Sequence, residues 1–171
     1  MTISELHIQF DLQPENRINI LNDVAKYRNK KYLFVDSLDG HCYLFDEDGN
    51  EADIKKLKKI DDQMFLDSNI KSIVIPDSVE YIENYAFAYY KNLKSIEIPD
   101  SVKRIRNWAF ECCENLKSIV IPDSVKRIGD GAFWNCESLK SLSFKGKTMK
   151  QVKKMKNYPF GIEDESIIRC I

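Results

Sequence analysis

The 171-residue chain is 43% hydrophobic and 31% charged, the balance of an ordinary globular protein rather than a disordered or fibrous one. Its formal net charge of −1 excludes a strong overall pull toward nucleic acid or an anionic membrane. No apolar stretch approaches the roughly 20 residues of a membrane span, and an odd number of cysteines (Cys42, Cys112, Cys113, Cys136, Cys170) favours reduced thiols.

The charge is unevenly spread. Met1–Asn69 holds 9 Lys+Arg against 14 Asp+Glu, a net of −5, and Ile70–Ile171 holds 17 against 13, a net of +4. An acidic front and a basic back permit head-to-tail oligomers through charge-complementary ends.

Met1-Thr2-Ile3-Ser4-Glu5 has no basic n-region and no apolar run behind it. A secretory signal is therefore not expected, and the predicted location is the cytoplasm, or the exterior had a leader been trimmed. Ile8, Phe10 and Leu12 alternate with polar residues, which predicts a strand. Pro14-Glu15 opens a predicted helix through Tyr27, with Ile20, Val24 and Tyr27 at helical spacing. Lys31–Asp36 and His41–Asp46 read as strands around Asp39-Gly40, a hairpin signal. Residues 1–56 thus read as a small α+β unit of order β-α-β-β, a cap or a separate module. The acidic run from Asp46 to Glu51 places its glycine too early for an EF-hand loop and reads as a solvated turn.

From residue 57 to 144 the chain repeats itself. Ile60 to Phe65 reads as a degenerate half-repeat. Three segments then align without gaps: IKSIVIPDSVEYIENYAFAYYKN from Ile70, LKSIEIPDSVKRIRNWAFECCEN from Leu93 and LKSIVIPDSVKRIGDGAFWNCES from Leu116. The offset is 23 residues each time, and such a fixed interval marks a solenoid. In each segment an alternating pair (Ile73/Ile75, Ile96/Ile98, Ile119/Ile121) turns to one face of a short strand. A proline that cannot donate to a ladder ends that strand: Pro76, Pro99, Pro122. Val79/Ile82, Val102/Ile105 and Val125/Ile128 point inward on the next side, and Ala-Phe pairs at 86–87, 109–110 and 132–133 close the coil. Tyr90, Cys113 and Cys136 complete the inward set. One coil cannot bury its own apolar edge, whereas stacked coils bury it as ladders of like residues.

The I-P-D-S-V block and the A-F-x-x-C block resemble the BspA-like leucine-rich repeats over Ile70 to about Phe144, with Tyr90 standing where the first coil would carry cysteine. The resemblance implies a leucine-rich-repeat solenoid, mostly β with short turns and helices, a parallel sheet on its concave face, and use in protein recognition and adhesion. Many members are secreted or surface proteins.

Residues 145–171 read as a closing segment. Leu139 to Phe144 is a fourth strand, Thr148 caps a predicted helix from Met149 to about Lys156, and Pro159 and Gly161 stop it. Ser166–Ile171 reads as a last strand over the open end. The G-K-T helix, N-Y-P-F-G-I and final strand resemble the end of many BspA-like chains.

Chemistry is sparse. His7 and His41 fall in predicted strands with no Ser or Cys partner nearby, so no catalytic site is expected. Without a C-x-x-C pair no metal site is expected, and no motif calls for a cofactor. Cys113 and Cys136 read as packing; Cys112 reads as an outward thiol.

Two surfaces are candidates for binding. The first lies between the inward positions of the strands: Ser72, Val74 and Asp77; Ser95, Glu97 and Asp100; Ser118, Val120 and Asp123; then Ser141, Ser143 and Lys145. Small polar residues with two valines make a flat, gently apolar strip suited to a protein, although for the aspartates after proline turn duty is the favoured reading. The second combines Lys103, Arg104, Arg106, Lys126 and Arg127 with Tyr85, Trp108 and Trp134. Arginine and aromatic side chains make hot spots and also suit single-stranded nucleic acid; a solvated face with aromatics on lysine stems is the plainer reading.

The expectation is a non-catalytic protein-binding module without cofactor, of the kind a bacterium or phage encodes to occlude a partner. A secreted or surface adhesin and a nucleic-acid-binding protein are the alternatives.

Overall fold

The structure, a computed structural model, describes residues 32–36, 42–46, 58–60 and 72–171. The chain divides into two compact units, Met1–Ile54 and Lys55–Ile171. In the first, β1 (Tyr32–Asp36) and β2 (Cys42–Asp46) form an antiparallel pair with Tyr32 opposite Asp46 and Asp36 opposite Cys42. The predicted hairpin is therefore present. The predicted strand at Ile8–Leu12, the helix through Tyr27, both histidines and the acidic run after Asp46 lie outside the described residues.

The second unit winds through two parallel sheets. The long sheet has the order β11-β10-β8-β6-β4 and the short sheet β3-β5-β7-β9. In the long sheet, β4 (Ser72–Val74), β6 (Ser95–Glu97), β8 (Ser118–Ile121) and β10 (Ser141–Phe144) pair in parallel, Ser72 beside Ser95, Ser118 and Ser141. In the short sheet, β5 (Tyr81–Ile82), β7 (Arg104–Ile105) and β9 (Arg127–Ile128) pair at the same 23-residue step. β3 (Lys59–Ile60) sets Ile60 beside Ile82, so the half-repeat joins the stack through its isoleucine. Asp61 to Phe65 lie outside the described residues.

The alternation read from the sequence decides what is inside. All eight inward positions of the middle coil (Leu93, Ile96, Ile98, Val102, Ile105, Ala109, Phe110 and Cys113) are buried. Phe87, Phe110 and Phe133 form one aromatic column, with ring centroids 5.2 and 5.4 Å apart and planes within 12°. Each fully buried large side chain stabilises by about 1.5–3 kcal/mol before ordering entropy is set against it.

The third side of each coil is a turn rather than a strand, yet it too is laddered. Tyr85, Phe87 and Tyr89 N–H groups donate to Asn107, Ala109 and Glu111 carbonyls, and Trp108, Phe110 and Cys112 donate to Asp130, Ala132 and Trp134. Two rows adopt left-handed backbone: Tyr85, Trp108 and Gly131 (φ 54, 52 and 57°) and Tyr89, Cys112 and Asn135 (φ 65, 55 and 57°). Such a conformation costs non-glycine residues about 1–2 kcal/mol each, and the ladder bonds hold it. The same turn corrects the reading of Cys112. It is buried, 8% exposed, with Asn135 Nδ2 at 3.5 Å from its sulfur, while Tyr89 and Asn135 of the same row stay exposed.

The tail seals one end. The predicted helix is shorter than expected: α1 spans Met149–Val152. Thr148 and Gln151 form a capping box, and the chain then turns. Phe133 N–H donates to the Phe160 carbonyl, so Phe160 continues the third-side ladder where a further coil would stand. β11 (Ile168–Cys170) adds a parallel strand to β10, Leu142 beside Ile168.

Candidate functional site

Stacking buries one set of side chains and displays the other in rows. On the long sheet Ser95, Glu97, Ser118 and Val120 are exposed, Val120 by 44%. Ser72 and Val74 continue these rows by register, Ser72 beside Ser95 and Val74 beside Glu97. The fourth strand departs from the expected display. Ser143 is buried, its hydroxyl 3.1 Å from that of Ser141, because β11 covers that edge.

Beyond the strand ends the aspartate row divides. Asp123 meets Lys147, Nζ to Oδ1 2.7 Å, and that amine, 10% exposed on its side chain, also donates to the Asp123 carbonyl at 2.8 Å. The hydrogen bond and charge of Lys147 hold the Asp123 carboxyl below its ordinary range. Asp77 and Asp100 make no ion pair among the described residues. With Glu97 they border a groove of about 810 Å³ at the strand ends.

On the short sheet the basic residues also fall into two kinds. Lys103 lies 2.6 Å from Glu80 and Arg106 lies 2.8 Å from Glu83. Lys126 donates to the Asp123 carbonyl at 2.8 Å. The hydrogen bond from Lys103 and then its charge lower the Glu80 carboxyl, and Glu80 raises Lys103 in return. Arg104 and Arg127 are different. They are exposed register neighbours on β7 and β9, about 4.8 Å apart by strand spacing. Neither has an ion-pair partner among the described residues.

The aromatic residues do not gather as the sequence suggested. Tyr85 stacks on Trp108, centroids 5.2 Å apart and planes 15° from parallel. The indole also lies against Gly131, where an added Cβ would sit 2.5 Å from Nε1. One face of Trp108 is therefore stacked on Tyr85, and the pyrrole edge is crowded by Gly131. Trp134 is 49% exposed but belongs to the row of Ala88 and Glu111, one step along the third side.

Three features escaped the sequence reading. Lys147 is a tail anchor. Glu111 is buried with Oε1 accepting from Tyr89 at 3.5 Å and Oε2 without a partner. The groove arises from register, and no motif announces it. Cys113 and Cys136 donate to the Phe87 and Phe110 carbonyls at 3.2 and 3.0 Å. The hydrogen bond with Cys136, then burial, pushes the Cys113 thiol well up, which suits packing rather than nucleophilic chemistry. Among the described residues no group of three His, Cys, Asp or Glu side chains is placed to hold a metal ion, and no helix is long and apolar enough to cross a membrane.

Residues 58–164 match the BspA type leucine rich repeat region in six copies. Solved structures agree. A leucine-rich repeat protein from Eubacterium ventriosum ATCC 27560 is 28% identical with a TM-score of 0.52, the match covering 70% of this chain and 28% of that one. One from Bacteroides capillosus ATCC 29799 is 27% identical with a TM-score of 0.52, covering 68% of this chain and 95% of that one. A leucine rich cell surface protein from Faecalibacterium prausnitzii A2-165 is 23% identical with a TM-score of 0.51, covering 75% of this chain and 43% of that one, a likeness of fold alone. The matched part thus spans less than a third of the Eubacterium protein and less than half of the Faecalibacterium one. No curated protein sequence matches the chain. With 23-residue coils in register and that match over more than half its length, the chain belongs to the BspA-type leucine-rich-repeat family.

Proposed function

We propose that this chain is a non-catalytic recognition module that docks a protein partner against the outward rows of its coils. Leucine-rich-repeat scaffolds of this kind are typically non-catalytic interaction or surface-repeat modules. One observation carries the finer reading. The coils neutralise Lys103, Arg106, Lys126 and Lys147 internally, yet leave Arg104 and Arg127 side by side and uncompensated. Like charges directly opposite in a sheet oppose its stability. An acidic protein surface supplies the missing counter-charge and takes the planar guanidinium forks in bidentate pairs.

This favours a protein over single-stranded nucleic acid, because Trp108 already stacks on Tyr85 and the exposed Trp134 lies on the third side of the coil, not on the sheet that carries the arginines. The test is capture of partners from the native host with the full chain, compared with an Arg104→Glu/Arg127→Glu variant of unchanged melting temperature. Loss of the captured protein with the variant supports the reading; equal capture overturns it. A gel-shift with single-stranded oligonucleotides that is abolished by the same variant would move the reading to nucleic acid.

A second reading is display at a cell surface. The Faecalibacterium prausnitzii neighbour, described as a cell surface protein, favours it. Protease treatment of intact native cells tests this: cleavage of the chain supports display, and full protection rejects it.

A further inference from the structure

The groove at the C-terminal ends of the long-sheet strands is a second surface, independent of the arginine pair. Its apolar surface comes from Val120, 44% exposed, and Pro99, while Ile75, Ile96 and Ile98 reach it with only 3, 7 and 6% of their surface. Its border is acidic. Asp77 and Asp100 occupy the same position in consecutive coils, three residues past the paired strand ends Val74 and Glu97. Glu97 ends β6, the strand that leads into Asp100. None of the three makes an ion pair or side-chain hydrogen bond among the described residues, and each is exposed. The next aspartate of the row, Asp123, is held by Lys147, so the fold can neutralise this position and does not do so at the groove. Lys145 is the one cation lining it, which leaves a net of −2. The Ser101 hydroxyl also lines the groove, buried and without a hydrogen-bond partner.

A metal ion does not fit this arrangement, because no three of these groups converge as ligands. The apolar side asks for aliphatic surface and the border asks for a spread-out cation with several donors. An arginine side chain has both: a three-carbon stem that packs on apolar surface and a planar fork that reaches two carboxylates. We infer that the groove binds an extended segment of a partner protein carrying arginine flanked by aliphatic residues. The stem lies against Val120 and Pro99, and the guanidinium bridges Asp77 and Asp100.

The experiment uses the full chain and a pentapeptide labelled at its N-terminus, fluorescein-Leu-Arg-Val-Arg-Leu-amide, read by fluorescence anisotropy. Saturable binding that weakens as salt rises is expected. Asp77→Asn/Asp100→Asn should weaken it at least tenfold, and Val120→Arg, which supplies a guanidinium from the chain itself, should weaken it as strongly. The same peptide with glutamate in place of arginine should not bind. Arg104→Glu/Arg127→Glu should leave binding within twofold, so failure here and failure of the short-sheet reading are separable. Because the aspartates are unpaired, the Asn variant should keep or raise the melting temperature. No binding at millimolar peptide, or binding unchanged in both groove variants, overturns the inference.

Discussion

Phe110→Ala removes the middle ring of the aromatic column. Phe110 is fully buried, stacked on Phe87 at 5.2 Å and on Phe133 at 5.4 Å. Truncating a buried phenylalanine costs about 3–5 kcal/mol through lost transfer energy and the cavity left behind. Two stacked pairs, each contributing about 0.5–1.5 kcal/mol beyond area burial, put this site toward the upper end. Relaxation is limited, since both neighbours sit in coils held by backbone ladders on three sides. For the 117 residues of Lys55–Ile171 the entropy of unfolding is about 0.25 kcal/mol/K, so the melting temperature should fall by about 12–20 °C. Urea denaturation followed by circular dichroism, with thermal melts alongside, measures both quantities. Phe110→Leu, which keeps most of the volume, should lose well under half as much. A Phe110→Ala loss below about 1 kcal/mol would refute the stacked column, because no well-packed column yields its central ring so cheaply.

Three further outcomes follow. Gly129→Ala should be severely destabilising, since its Cβ would sit 2.3 Å from backbone atoms of Arg106 and Asn107 in the coil before; a melting temperature within 2 °C of wild type would contradict that contact. Tyr158, pushed up to about 12 by burial and by its 2.6 Å hydrogen bond to Glu165, should stay neutral while the ordinary tyrosines ionise. Its stabilising contribution is complete below pH 10 and is lost as pH rises through about 12; ultraviolet titration should show a late-ionising tyrosine that Glu165→Gln shifts down, and an unchanged curve in that variant would count against the pair. Asp123, lowered by Lys147, contributes stability that is present above the ordinary aspartate value and is lost as pH falls through its lowered folded value. Lys147→Met should flatten the acid limb of stability against pH, and an identical limb would remove the tail anchor from the account.

Much of the fold was legible because its cause is periodic. The interval of 23, the paired isoleucines and the Ala-Phe step specify which side chains must meet, and the strands obey that spacing. What escaped the sequence is not periodic. Gly131 hinted that its row is left-handed, but Tyr85 and Trp108 in the same row gave no such sign. Cys112 was misread because an adjacent inward cysteine implies an outward neighbour only in extended backbone, and this turn is not extended. The helix after Thr148 ends early because the chain turns back at Lys153–Met155 and carries Phe160 into the third-side ladder, a tertiary demand that overrides local propensity. For the binding surfaces, residue identities were readable and their pairing was not. Sequence grouped Lys103, Arg104, Arg106, Lys126 and Arg127 as one basic strip, whereas only distances separate the neutralised cations from the two left without partners. The groove likewise needs Asp77 and Asp100 to be neighbours, which register alone provides.

Nuclear Overhauser contacts in isotopically labelled protein address the repeat stack most directly. Ser95, Ile96 and Glu97 should show interstrand backbone contacts to Ser118, Ile119 and Val120, and Arg104 to Arg127, all at a separation of 23 residues. Contacts between these segments at another separation, or none, would contradict the stacked coils and every surface built on them.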